Sequence, residues 1–154
     1  MKRILTLILA LFVGSGILPV QAQEASNAAD AIIGTYYSSY HGDDYKVRIT
    51  KNSNGTYRVQ VIWMKYIIDP KTGVKRLDKK NPDKSLRDTP CDQIVLVQGL
   101  HYIPEKNHWG NTKLYDPQHG IKVNVDMWFV NETKLALRGQ LMGIGTTIYW
   151  TKLS

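Results

Sequence analysis

The dominant signal along this chain is an alternation of apolar and polar residues with a period of two. Tyr45, Val47 and Ile49 alternate with Lys46, Arg48 and Thr50; Tyr57, Val59, Val61 and Trp63 alternate with Arg58 and Gln60. Ile121, Val123, Val125 and Met127 stand against Lys122, Asn124 and Asp126, and Leu135, Leu137 and Leu141 against Arg138 and Gln140. Successive side chains of a strand point to opposite faces, so the pattern predicts antiparallel strands with one buried and one solvated face. No segment after residue 22 sustains an i, i+3, i+4, i+7 stripe long enough to predict a helix.

Turn chemistry falls between these runs. Asn52-Ser53-Asn54-Gly55 and Asn131-Glu132-Thr133 are polar connections of hairpin length. The pattern Asp-Pro-x-x-Gly occurs at Asp69–Gly73 and again at Asp116–Gly120. Proline presets the φ of a turn's second residue and the last glycine can take positive φ, so each copy predicts a hairpin turn. Strands are expected near 33–39, 44–51, 55–68, 92–98, 108–116, 120–130, 134–142 and 145–153, with a short extra strand at 74–77 paired to the third. About eight sequential antiparallel strands predict an all-β, up-and-down barrel, in which closure removes exposed sheet edges. A long polar loop separates the third and fourth main strands. Barrels of eight strands are either filled by side chains or hold one small ligand, and both alternatives stand at this level.

The N-terminus changes the expected compartment. Lys2 and Arg3 precede an apolar run, Ile4 to Val13, broken only by Thr6, and Val20-Gln21-Ala22 offers small residues at −3 and −1. Residues 1–22 therefore read as a cleavable signal peptide. The apolar run is shorter than the ~20 residues of a spanning helix, so no transmembrane segment is expected. No cysteine lies near the cleavage site, which excludes a lipoprotein; the expected location is periplasmic or secreted. Residues 23–31 are small and polar, a flexible lead-in, and 32–154 form a single β-barrel domain. Cys91 is the one cysteine, so no internal disulfide is available, and its place at the start of an apolar run makes it a packed core residue.

Without Lys2 and Arg3 the formal charge falls from +7 to +5. Residues 65–87 alone carry Lys65, Lys71, Lys75, Arg76, Lys79, Lys80, Lys84 and Arg87 against Asp69, Asp78 and Asp83. The basicity thus belongs to one region, a local positive field suited to an acidic glycan or phospholipid surface. Export excludes nucleic acid as a partner.

Within that region Asp78, Asn81, Asp83 and Asp88 have short side chains that bond nearby backbone N–H groups, and Pro82 stiffens the middle. Arg87 offers a planar fork for a carboxylate. One reading folds the loop on itself, with Asp78 or Asp83 paired to Arg87, plugging a barrel end; the other makes it a lid for an anion or headgroup. Among the aromatics, Trp63 falls on a core alternation, Trp150 is placed to plug the barrel, and Trp109, beside His108 and Gly110, is the candidate mouth residue. The four histidines show no ligand spacing, and no nucleophile or phosphate-loop motif is present, so neither metal, cofactor nor catalytic residues are expected.

Five short motifs carry a resemblance. Gly34-Thr35-Tyr36, Asp78-x-x-Asn81-Pro82-Asp83-x-x-Leu86-Arg87, Tyr115-Asp116-Pro117-x-x-Gly120, Leu137-Arg138-Gly139 and Trp150-Thr151-Lys152 together resemble the bacterial domain-of-unknown-function family 2147. The resemblance spans nearly all of 32–152 and implies an exported, lipocalin-like β-barrel; the family has no established activity, so it implies no function. Tyr36, where a tryptophan is expected, and Pro90-Cys91, where a glycine is expected nearby, depart from the pattern. With the motif residues Tyr115 and Arg138, the candidate binding set becomes Asp78, Asn81, Pro82, Asp83, Arg87, Trp109, Tyr115 and Arg138, beside a basic patch of Lys75, Arg76, Lys79, Lys80 and Lys84. The favoured function is a non-enzymatic binding module for a small, partly apolar or anionic envelope ligand, lipid or glycan. The alternative is a filled barrel acting through its basic 65–87 surface; a hydrolase of an envelope component using Asp78 or Asp83 ranks third.

Overall fold

Eight strands that alternate inward and outward close on themselves, and each lies antiparallel beside its sequence neighbour. The computed structural model describes residues 20–154. After helix α1 (Val20–Asp30) come β1 (Gly34–Tyr40), β2 (Asp43–Lys51), β3 (Tyr57–Met64), β4 (Val95–Ile103), β5 (His108–Asp116), β6 (Ile121–Phe129), β7 (Lys134–Leu141) and β8 (Ile144–Lys152). The pairs Tyr36↔Lys152 and Tyr37↔Thr151 close the barrel. Residues 1–19 of the expected signal peptide lie outside the described residues. Among the described residues, no helix is long and apolar enough to cross a membrane.

Several elements differ from the sequence reading. The 23–31 lead-in is largely helical, and the end of α1 is tied to the barrel: Asp30 pairs with Lys51 and accepts from the Tyr57 hydroxyl at 2.6 Å. These two hydrogen bonds, Lys51 first, hold the Asp30 carboxyl below its ordinary range. β3 stops at Met64 rather than running to 68. β4 starts at Val95, because Cys91–Gln93 form a 3-10 turn. Residues 74–77 form no strand; only the isolated bridges Ile68↔Lys75 and Leu77↔Pro90 are made.

Trp63 is the clearest reversal. The β2–β3 register shifts between Lys46↔Trp63 and Val47↔Val61, a bulge that places one extra residue in β3. An extra residue flips every side chain beyond it to the other face. Trp63 therefore lies outside, 40% exposed, with the Lys46 ammonium 5.1 Å from its ring centroid, and Met64 turns toward the core.

Both Asp-Pro turns form as expected and share one geometry. Gly73 N and Gly120 N each donate to the carbonyl of the aspartate four residues earlier at 2.8 Å, with φ of 69° and 68°. In each, the aspartate Oδ1 accepts from the backbone N–H two residues on.

The up-and-down order puts the β1–β2, β3–β4, β5–β6 and β7–β8 connections at one end, and α1 with the other three connections and the C-terminus at the opposite end. The α1 end is filled. Ile32, Tyr36, Tyr57, Leu100, Trp109 and Met127 are fully buried there, each stabilising the fold by about 1.5–3 kcal/mol. Their polar tips are satisfied: Tyr36 donates to the Ile32 carbonyl and Trp109 Nε1 to that of Ala29.

Candidate functional site: a cavity at the open end

The other half of the barrel is hollow. There several inward positions carry the smaller Val61, Val123, Gly139 and Thr146, and a cavity of about 730 Å³ opens between them. Its walls are mostly aliphatic, with Met64, Leu96, Leu114, Leu137 and Ile148, and Trp150 marks the boundary with the filled half. Trp150 packs on Tyr36, ring centroids 6.3 Å apart, and its Nε1 donates to the Tyr45 hydroxyl at 3.1 Å. Tyr45 also lines the cavity, and burial pushes its phenol up, so it stays neutral.

Polar groups gather at the mouth. Arg76 meets Asp43 through two parallel bonds, Nη1 to Oδ1 at 2.7 Å and Nη2 to Oδ2 at 3.0 Å, the fork geometry that arginine makes best. Asp78 is buried and accepts from the Tyr115 hydroxyl at 2.6 Å and from Asn81 Nδ2 at 2.7 Å. Desolvation, then the Asp78 carboxylate, push the Tyr115 phenol well above its usual value. By strand alternation Tyr115 belongs to the face opposite Leu114; it is nevertheless buried because the long loop covers it. That loop closes on the β5–β6 turn, where Lys80 Nζ donates to the Gln118 carbonyl and Gly120 lies against the Lys80 backbone, too close for any Cβ.

The loop thus folds on itself, but not through the ion pair expected. Arg87 Nε donates to the Asn81 carbonyl at 2.8 Å. Asp78 is already occupied by Tyr115 and Asn81. Asp83 caps the 3-10 turn Lys84–Leu86 by accepting from Ser85 N and Oγ, bonds that lower its carboxyl pKa. Neither carboxylate needs a guanidinium. Pro82 is exposed beside them.

Of the candidate residues, Arg76, Asp78, Lys79, Lys80 and Tyr115 line the cavity, whereas Asn81, Pro82, Asp83 and Arg87 build the loop behind it. Trp109 is not at the mouth. It is 1% exposed in the filled half, against Tyr102 and Phe129, because β5 enters the barrel at the α1 end. Arg138 lies between cavity-lining Leu137 and Gly139 and so faces outward, 3.4 Å from Thr147 Oγ1. In the basic patch Arg76 is neutralised by Asp43 and Lys79 by Asp88, while Lys75 and Lys84 are exposed.

Sequence reasoning missed Asp43 and Tyr45. Their signal was a pair of acids entering a strand whose alternation begins at Tyr45. Cys91, half-buried in the cavity wall, has its thiol pushed up by burial, which disfavours the nucleophilic thiolate.

A closed eight-strand barrel, filled at one end and hollow at the other, has the architecture of a lipocalin-like barrel. The chain belongs to the family described as "Uncharacterized protein conserved in bacteria (DUF2147)", which matches residues 34–152. The structure of protein HP1028 from Helicobacter pylori, described as belonging to the lipocalin family, is similar with a TM-score of 0.62. The two are 21% identical over 80% of this chain and 83% of that one, a likeness that shows the fold. Among curated proteins none matches the sequence.

Proposed function

We propose that the protein is an exported, non-enzymatic binding module that holds one small, mostly apolar molecule inside the barrel, with its polar group at the mouth. The observation that carries this reading is the cavity: about 730 Å³, within the range of small-molecule sites, with aliphatic walls and polar groups confined to one end. The rim favours a hydrogen-bonding headgroup over a strongly anionic one. Arg76, Lys79 and Lys80 there are balanced by Asp43, Asp78 and Asp116, and Arg76 is clamped by Asp43. The leader pattern of residues 1–22 supports cleavage after Ala22 and a periplasmic or secreted location; an intact mass lacking those residues is the corresponding test.

The reading is tested by titrating a polarity-sensitive apolar fluorophore onto the purified protein. We expect saturable, one-to-one binding that Leu137→Trp abolishes by filling the cavity while the thermal midpoint is kept or raised. Probe binding untouched by Leu137→Trp places the site elsewhere and overturns the proposal.

A further inference from the structure

The open end carries apolar side chains that the fold leaves uncovered. Leu141, Met142 and Ile144 form the tip of the β7–β8 hairpin and are 46%, 95% and 80% exposed. Met142 and Gly143 take left-handed conformations, φ 51° and 81°, and Leu141 pairs with Ile144. This is a tight two-residue hairpin turn whose twist matches that of its strands, so the tip is held outward by its backbone. At the same end, Ile68 and Val74 flank the Asp69–Gly73 turn and are also exposed, as is Leu86. Scattered surface apolar residues are ordinary; an exposed apolar hairpin tip continuous with a cavity wall, with further exposed apolar residues on the loop at the same end, marks an interaction site.

The charges of this end are sorted. Asp69 spends an oxygen on Lys71 N and Thr72 N, Asp83 on Ser85, and Asp78 is buried under Tyr115. Lys71, Lys75, Lys80 and Lys84 are exposed, and among the described residues none has a carboxylate at ion-pair distance. Asp78 is turned into the loop, Asp83 and Asp88 stay at its surface with Asp88 paired to Lys79, and those four ammonium groups remain without an ion-pair partner among the described residues. Leu141 and Ile144 also line the cavity, so apolar surface runs from its wall to the hairpin tip.

We infer that this end of the barrel docks on an anionic phospholipid bilayer. The β7–β8 tip and the 68–74 hairpin enter the headgroup–acyl boundary, and the four lysines meet the anionic headgroups. A few apolar side chains or a few cations alone bind weakly and reversibly; the combination gives stable interfacial attachment. Two copies meeting through this face would bring lysine against lysine, which favours a negative surface over self-association. Docking does not require an occupied cavity, but it sets the cavity mouth against the lipid.

The test is flotation of the protein, as recovered from the producing cells with its N-terminus defined by intact mass, on two kinds of vesicle. One is phosphatidylcholine alone, the other phosphatidylcholine mixed with phosphatidylglycerol. Binding is expected on the mixed vesicles and is expected to weaken as salt screens the lysines. Met142→Asn with Ile144→Thr keeps the turn, since asparagine accepts left-handed φ and threonine suits a strand. This pair should lower affinity about tenfold or more by removing two inserted apolar side chains. Lys71→Glu with Lys84→Glu should reduce binding on mixed vesicles. No binding to mixed vesicles, binding unchanged by Met142→Asn with Ile144→Thr, or a lipid-free dimer that this pair dissolves would each overturn the inference.

Discussion

The two ends of this barrel use the same strands and the same alternation, yet one is solid and the other hollow. At the α1 end the inward positions carry Trp109, Tyr57, Tyr36 and Met127, and residues 29–32 supply carbonyl acceptors for the Trp109 and Tyr36 tips. At the open end several equivalent positions carry Val61, Val123, Gly139 and Thr146, and the Tyr115 hydroxyl bonds to Asp78 of the long loop. Side-chain volume at inward positions, not strand number or register, decides which half holds space. Stability should therefore concentrate at the α1 end and binding at the mouth.

The largest expected effect comes from breaking the solid end. Trp109→Ala should cost about 3–5 kcal/mol, whereas Leu137→Ala on the cavity wall should fall at the low end of its class, about 2 kcal/mol, because one side already faces empty space. Urea denaturation of both variants checks the ranking; equal costs would contradict a solid and a hollow half.

The twin Asp-Pro turns sharpen the comparison on the mouth itself. Gly73→Ala meets only the strain of positive φ, with nothing within 4 Å, and should cost about 1 kcal/mol. Gly120→Ala adds a collision with the Lys80 backbone and should cost about 2–3 kcal/mol. It should also raise hydrogen exchange across 78–89, the loop held to the β5–β6 turn by the Lys80–Gln118 bond and the Gly120 contact. Tyr115→Phe comes next. It leaves the buried Asp78 carboxylate one donor short, a loss of about 1–3 kcal/mol in the same denaturation assay.

The smallest effect near neutrality is the response to base. Tyr36, Tyr57 and Tyr115 all have phenols raised above the ordinary value of 10.0, each mainly by burial. Unfolded tyrosines release protons from about pH 10 while these three retain theirs, so their contribution is full below that pH and is lost as pH rises through the folded pKa values. A spectrophotometric titration should show these tyrosines ionising only as the protein unfolds.

Much of the fold was legible because alternation encodes one buried face directly. Tyr45–Ile49 and Val123–Met127 follow it, Ile121 at the strand start being exposed, and both Asp-Pro-x-x-Gly turns do what their proline and glycine dictate. Trp63 was misread because a bulge in β3 leaves no local mark but reverses everything after it. Trp109 was placed at the mouth because its neighbours His108 and Gly110 resemble a strand end; that end lies under α1. Helix α1 escaped notice since Val20–Asp30 has no apolar stripe, its anchoring coming from Asp30 and the Ala29 carbonyl instead. The self-folded loop was visible in its Asp, Asn and Pro content. Its bonds were not, because the partners of Asp78 and Lys80 lie on β5 and the β5–β6 turn, some 37 and 38 residues away. The cavity has no sequence signature at all: it arises from small residues on β3, β6, β7 and β8 that register brings face to face.

The most direct measurement is native mass spectrometry of the protein isolated from its own envelope, with any bound species identified after denaturing extraction. A stoichiometric small-molecule adduct, lost on denaturation and absent from Leu137→Trp, is the expected result. A clean apo mass for the native protein, repeated under gentle isolation, would contradict the hollow end as a binding site.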